Sequence, residues 1–131
     1  MKLLLDTQVL VWTQLQPERL SRRVLRALED SRNERWISPA SFWEILSLSR
    51  KGRIRLDRGP SAWFEAVLEL VRPREATFTH EVALAMDSFV LPHSDPIDAI
   101  LVATAKVYGL TLVTADRILI ESGACAVLAN R

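Results

Sequence analysis

The chain has one cysteine among its 131 residues, so no internal disulfide can form and stability must come from burial. Cys125 lies in an apolar stretch and reads as a small buried hydrophobe. Charge of one sign is also lacking. The formal net charge is +1, which excludes a uniformly basic polyanion binder and leaves only local patches for that role. No apolar stretch approaches the length of a membrane span. The run Leu3–Leu5 is stopped by Asp6 too early for a signal peptide, and the expected location is cytoplasmic. Repeats and low-complexity tracts are absent. Histidine is scarce, and His80 and His93 lack a zinc-binding spacing, so surface or supporting roles are expected for both. What remains is 49% hydrophobic and 25% charged, the balance of an ordinary globular protein. A chain of this length buries roughly two-thirds of its unfolded surface, enough for one domain over residues 1–131 without staples.

Short apolar runs alternate with segments of helical periodicity. Lys2–Leu5 reads as a buried strand, followed by a helix over Thr7–Leu15. Leu20, Val24, Leu25 and Leu28 recur at helical spacing after the cap Ser21. Arg35–Ile37 is a candidate strand. Ser38-Pro39 pairs a cap with a proline suited to the first helical position, predicting a helix that stops at Gly52. Gly59-Pro60 opens another, with Trp63, Phe64, Val67, Leu68 and Val71 on its apolar side. A strand is expected at Ala76–Phe78 and a helix at Thr79–Phe89, with Val82, Ala83, Met86 and Phe89 spaced for burial. Asp95-Pro96 starts the clearest helix, ending at Tyr108 before Gly109. Leu110–Thr114 is β-branched and extended, Arg117–Glu121 a short helix, and Ala126–Leu128 a last strand. The alternation predicts a three-layer α/β/α fold around a mostly parallel sheet of four or five strands.

Two strands end in aspartate: Leu3–Leu5 runs into Asp6, and Leu112–Thr114 into Ala115-Asp116. Ligands in open α/β sheets bind beyond the carboxyl ends of the strands, so both acids stand at the functional edge. Each also suits helix capping, but their matching positions favour a shared site. Glu44 interrupts the apolar stretch Ser41-Phe42-Trp43-Glu44-Ile45-Leu46, where a carboxylate needs pairing or coordination if it is buried. Asp98 falls in the first turn after the cap Asp95, and position alone does not separate helix-start electrostatics from a site. Two carboxylates about 5 Å apart repel by roughly 3 kcal/mol at an effective dielectric near 20. Four converging acids therefore call for a cation. An all-oxygen donor set without a cysteine or histidine group points to Mg²⁺ or Mn²⁺.

At these residues the chain resembles the PIN-domain ribonucleases, and among them the VapC-type toxins of bacterial toxin–antitoxin pairs. The resemblance runs through Leu3-Leu4-Leu5-Asp6-Thr7, Ser41-Phe42-Trp43-Glu44-Ile45, His93-Ser94-Asp95-Pro96-Ile97-Asp98 with Ala103-Thr104-Ala105, and Gly109–Asp116. Each motif is weak alone; four in order and spacing make a strong signal. The resemblance implies Mg²⁺- or Mn²⁺-dependent hydrolysis of RNA by Asp6, Glu44, Asp98 and Asp116. Asp6, Asp98 and Asp116 would hold metal, with Thr7 and Thr114 as neighbours that orient ligands or water. It also implies a homodimer restrained by a small antitoxin. A non-catalytic RNA-binding or scaffold version of the fold is the alternative, opposed by the intact acid set. The chain departs from the toxin pattern at Gln8, where histidine is frequent, at Ile97 and Ala99 around Asp98, and at Leu48, where lysine is frequent. These changes spare the acids and bear on substrate preference. Trp12, Trp36, Trp43 and Trp63 fit core or interface positions better than base stacking. The basic stretch Arg50-Lys51-Gly52-Arg53-Ile54-Arg55 reads equally as a guide for an RNA backbone and as a solvated helix end. Leu10, Val11, Trp12 and Leu15, with Phe42, Trp43, Leu46 and Leu48, supply more apolar surface than one small core needs, as expected of a partner site.

Overall fold

The computed structural model describes residues 1–131. The elements follow in the order β1 (Lys2–Leu5), α1 (Thr7–Leu15), α2 (Arg22–Glu29), β2 (Glu34–Ile37), α3 (Pro39–Arg50), α4 (Pro60–Val71), β3 (Arg74–Glu75), α5 (His80–Ala85), α6 (Pro96–Tyr108), β4 (Thr111–Thr114), α7 (Arg117–Ser122) and β5 (Val127–Ala129). All five strands are parallel, in the order β3-β2-β1-β4-β5. From the central β1 the chain winds outward to β2 and β3, then recrosses to β4 and β5. Crossovers that run in opposite directions put their helices on opposite faces, because each is right-handed. The reversal falls between β1 and β4.

Side chains of the strands alternate between two cores. Leu3, Leu5, Ile37, Val113 and Leu128 face one layer, where they meet Val9 and Leu10 of α1, Val24 of α2, Ile45 of α3 and Trp63 and Val67 of α4. Leu4 and Leu112 face the other, against Ile97, Leu101, Val102 and Ala105 of α6 and Leu119 of α7. Burial on both faces is why these strands are continuous apolar runs. Helix starts follow local chemistry. The hydroxyls of Ser21, Ser38 and Thr79 accept from the backbone N–H of Val24, Ala40 and Val82. Gly109, at φ 67°, takes the left-handed conformation that ends α6 and turns the chain into β4.

Three expectations need correction. The third strand lies at Arg74–Glu75 rather than Ala76–Phe78. Its partner β2 ends at Ile37, opposite Glu75, so after the Ala76 N–H donates to the Ile37 carbonyl no backbone remains to pair with. The helix expected through Phe89 is α-helical only to Ala85 and tightens into a 3₁₀ turn over Met86–Ser88. Of its four apolar positions only Val82 is fully buried, and Ala83 is exposed. The apolar surplus on α1 and α3 is in part core rather than free surface. Leu10 and Val11 are buried and Phe42 packs on Phe64 at 4.6 Å, leaving Trp43 exposed. Exposed apolar side chains lie elsewhere, notably Leu68 and Leu70 of α4 and Leu84 of α5. No helix is long and apolar enough to cross a membrane.

Leu4 on the central strand is 0% exposed. Leu4→Ala should lower the unfolding free energy by about 2–5 kcal/mol in urea titrations. Trp43→Ala, at an exposed position, should change it by no more than about 0.5 kcal/mol. Similar losses for the two would contradict this division between core and surface.

Candidate active site

Asp6 is the residue that leaves β1. Its backbone N–H continues the sheet by donating to the Val113 carbonyl at 3.0 Å. Although it occupies the N-cap position of α1, its side chain makes no cap hydrogen bond. Instead one carboxylate oxygen accepts from the Thr114 hydroxyl at 2.6 Å. The same hydroxyl accepts from the Asp116 N–H at 3.0 Å. Thr114 thus couples the ends of two adjacent strands, and with them two acids. Asp116 spends one oxygen on capping α7, accepting from the Ile118 N–H at 2.8 Å. Its other oxygen remains available.

At the start of α6, Asp95 takes the capping role, accepting from the N–H groups of Ile97 and Asp98. That frees the Asp98 side chain, which is nonetheless buried. Glu44 stands mid-way along α3. One turn earlier the buried Ser41 accepts from the Thr7 hydroxyl at 3.2 Å, tying α3 to α1. All four predicted acids, together with Thr7 and Asp95, line one open cleft of about 360 Å³ at the reversal point of the sheet. Gln8, Trp12, Leu48 and Ala115 complete its walls, and no lysine or arginine is among them.

His93 lies beside this group, a position compatible with the supporting role expected for it and not with a free surface one. Its Nε2 lies 2.8 Å from one Asp98 oxygen and 3.9 Å from Asp116. Both ring nitrogens are closed to solvent, and neither has an aligned hydrogen-bond partner. The position carries neither periodicity nor a capping signature; the only clue in the sequence is its place directly before the Ser94-Asp95-Pro96 helix start. His80, by contrast, opens α5 at the surface.

The electrostatics follow from burial and crowding. Desolvation raises the Asp6 carboxyl from 3.8 to about 6 despite the Thr114 hydrogen bond, and the charges of Glu44 and Asp116 add to the rise. Asp98 is held well above the usual carboxylate range, first by burial and then by Asp6, Asp95 and Asp116. Burial and then the charge of Asp95 raise Glu44, against a hydrogen bond from Thr7. The cleft therefore gathers negative charge that its own walls do not neutralise. Carboxylate oxygens with one nearby imidazole nitrogen suit a divalent cation.

A folded-state pKa above the unfolded one means that the native state holds the proton more tightly. The resulting destabilisation is absent below the ordinary carboxylate value of 3.8, grows with pH, and is fully present above about 6. In chelator, Asp6→Asn should melt higher than wild type at about pH 7.5, and the gap should close towards about pH 4. A gap independent of pH in thermal melts would contradict the burial cost assigned to Asp6.

A model of the family described as PIN domain matches residues 3–123. The chain is 33% identical over 117 residues to Ribonuclease VapC22 of Mycobacterium tuberculosis (strain ATCC 25618 / H37Rv), covering 87% of this chain and 86% of that one. Its fold is similar to that in the crystal structure of VapBC2 from Rickettsia felis bound to a promoter DNA fragment, with a TM-score of 0.72, 14% identity and 98% of each chain covered. It is similar also to FitAcB from Neisseria gonorrhoeae, with a TM-score of 0.66, 23% identity and coverage of 98% and 97%. DNA-bound VapBC from Salmonella typhimurium gives 0.67, 17% identity and coverage of 100% and 99%.

Proposed function

This chain belongs to the PIN-domain family, and on that premise we propose that it is a divalent-metal-dependent endoribonuclease, the toxin of a toxin–antitoxin pair, formed as one domain over residues 1–131. The observation that carries the reading is the meeting of Asp6, Glu44, Asp98 and Asp116 in one cleft at the carboxyl edge of the sheet. The relative named above is a ribonuclease, and one similar structure, from Klebsiella pneumoniae, is a toxin–antitoxin complex by its own description.

Asp6, Asp98 and Asp116 are the residues assigned to hold Mg²⁺ or Mn²⁺. That cation, when bound, supplies Lewis acidity and neutralises charge on the scissile phosphate. Thr114 fixes one oxygen of Asp6 and so sets its orientation. Glu44, partly exposed at the cleft, accepts a proton from the attacking water or orients it. Its raised pKa brings it closer to the working pH of a general base. Thr7 donates its hydroxyl to Ser41 and so ties α1 to the helix that carries Glu44.

An RNA strand has a route away from these acids. A second groove of about 610 Å³ adjoins the cleft, sharing Gln8 and Leu48 with it, and carries Arg53 and Arg55. These side chains would hold backbone phosphates one step from the reaction centre. Trp12, at the cleft wall with the Arg19 guanidinium 5.5 Å from its ring, offers a face to a base. Gln8 and Leu48, two positions where the chain departs from the toxin pattern, lie at the junction, where they would bear on which sequence is accepted.

For partners, a groove of about 350 Å³ lined by Leu20, Leu25, Leu28, Leu70 and Val71, with Arg35 and Glu29 at hand, suits an amphipathic antitoxin helix. The exposed Phe78, Leu84 and Val90 offer apolar area for a homodimer. The setting is cytoplasmic, where both the RNA and the antitoxin would be met.

Purified protein should cleave single-stranded RNA with Mn²⁺ or Mg²⁺ and stop in chelator. Asp6→Asn should reduce the rate by about a hundredfold or more while keeping the fold. The metal-induced rise in melting temperature should shrink in Asp98→Asn. Undiminished cleavage by Asp6→Asn, or in chelator, would remove the acids from the reaction. Replacing both Arg53 and Arg55 by Glu should weaken RNA binding and lower the salt slope by about two. An unchanged slope would route the strand elsewhere.

A further inference from the structure

His93 brings one imidazole nitrogen to two of the acids at once, which a single hydrogen bond does not by itself explain. Its Nε2 makes a short ion-pair contact with Asp98 at 2.8 Å, while Nδ1 has neither a hydrogen-bond partner nor solvent. A buried ring nitrogen left without a partner is costly. Neither nitrogen has solvent to compensate. Neighbouring ligands of one small cation meet different conditions. With bonds of about 2.1 Å they sit about 3 Å apart, each directed at the ion and therefore off line to the other. The Nε2 distances of 2.8 Å to Asp98 and 3.9 Å to Asp116 bracket that spacing. One ligand atom from each of His93, Asp98 and Asp116 lies within 4.8 Å of the others.

We propose that His93 is a direct nitrogen ligand, forming with Asp98 and Asp116 a mixed imidazole–carboxylate cation site that prefers Mn²⁺ over Mg²⁺. This rests on the reading that a divalent cation binds at the acids, and adds to it the ligand that sets the ion's identity. Magnesium favours all-oxygen shells and retains its water, whereas imidazole raises affinity along the first-row series. The site shares Asp98 and Asp116 with the acidic cleft, where Asp6 also lies with one oxygen committed to Thr114 and the other free. His93 reaches Asp98 from the segment before α6, beside Phe89 and Pro96. The donors thus come from two helix starts, His93 and Asp98 around that of α6 and Asp116 from that of α7.

The test is the electron spin-echo spectrum of Mn²⁺ bound to the wild-type protein. Modulation from a directly bound ¹⁴N is expected, and it should vanish in His93→Gln. By calorimetry, His93→Gln should lose about tenfold or more in Mn²⁺ affinity and distinctly less for Mg²⁺. Bound Mn²⁺ without ¹⁴N coupling in wild type would overturn the ligand assignment and leave the nuclease reading intact. The wild-type spectrum decides this even if the variant fails to fold. Coupling that persists in His93→Gln, or equal losses for the two metals, would also overturn it. No Mn²⁺ or Mg²⁺ binding in wild type, with cleavage unaffected by chelator, would instead overturn the metal-dependent reading beneath it.

Discussion

Carboxylates brought together out of water repel one another and lose hydration, and the rest of this molecule is arranged around bearing that cost. Asp6 and Asp98 are 7% and 8% exposed, and the pKa of each is raised by burial before any neighbouring charge acts. An acid in that position would ordinarily rotate away or stay protonated. Here the options are few. Asp6 is pinned through Thr114, Asp116 is half committed to the α7 cap, and Asp98 starts a helix whose cap is already filled by Asp95. The central strands supply the rigidity, since Leu4 and Leu112 are fully enclosed on one face and Leu3, Leu5 and Val113 on the other. The cores are what allow the like charges to stay close.

The parts of this arrangement that rest on local chemistry were readable in the sequence. Asp6 and Asp116 ended apolar strands, Ser38-Pro39 and Asp95-Pro96 carried their own start signals, and Glu44 broke an apolar run. All of these features survive in the fold. What escaped depends on partners far away in the chain. The register of β3 is dictated by where β2 stops, so Ala76–Phe78 looked as suited to pairing as Arg74–Glu75. The apolar excess of α1 and α3 suggested an outer surface because hydrophobicity alone does not reveal how many neighbours a helix has. Each turns one side to the first core, through Leu10 and Val11 of α1 and Ile45 of α3, and Phe42 packs on Phe64 from α4. The particular place of His93 could not be read for a related reason: a single loop histidine gains meaning only when folding sets it beside Asp98.

The departures from the toxin pattern acquire a place once the cavities are known. Gln8 follows Asp6-Thr7 on α1, and Leu48 lies one turn beyond Glu44 on α3, so each sits within about a turn of a proposed catalytic acid in sequence. Both face the passage between the acidic cleft and the groove with Arg53 and Arg55. A neutral amide and an aliphatic side chain there leave the wall without positive charge, and the basic contribution is displaced further along. On the proposed reading, attraction for a polyanion would thereby be separated from the acidic cleft.

The order of the strands also has a temporal meaning. β1 is the first strand made, yet its inner partner β4 is joined to it more than a hundred residues later, as the Thr114–Asp6 bond across 108 positions records. A nascent chain that has reached β3 can pair β1, β2 and β3 and still present β1 with a bare edge. Asp6 then has neither Thr114 nor Asp116 beside it. At synthesis rates of about 5–20 residues per second, several seconds separate the first acid from the last. Through that interval the growing polypeptide holds an incomplete centre in front of the ribosome that is making it. An enzyme directed at RNA would thus stay inert towards its own translation machinery until the second half of the sheet has closed.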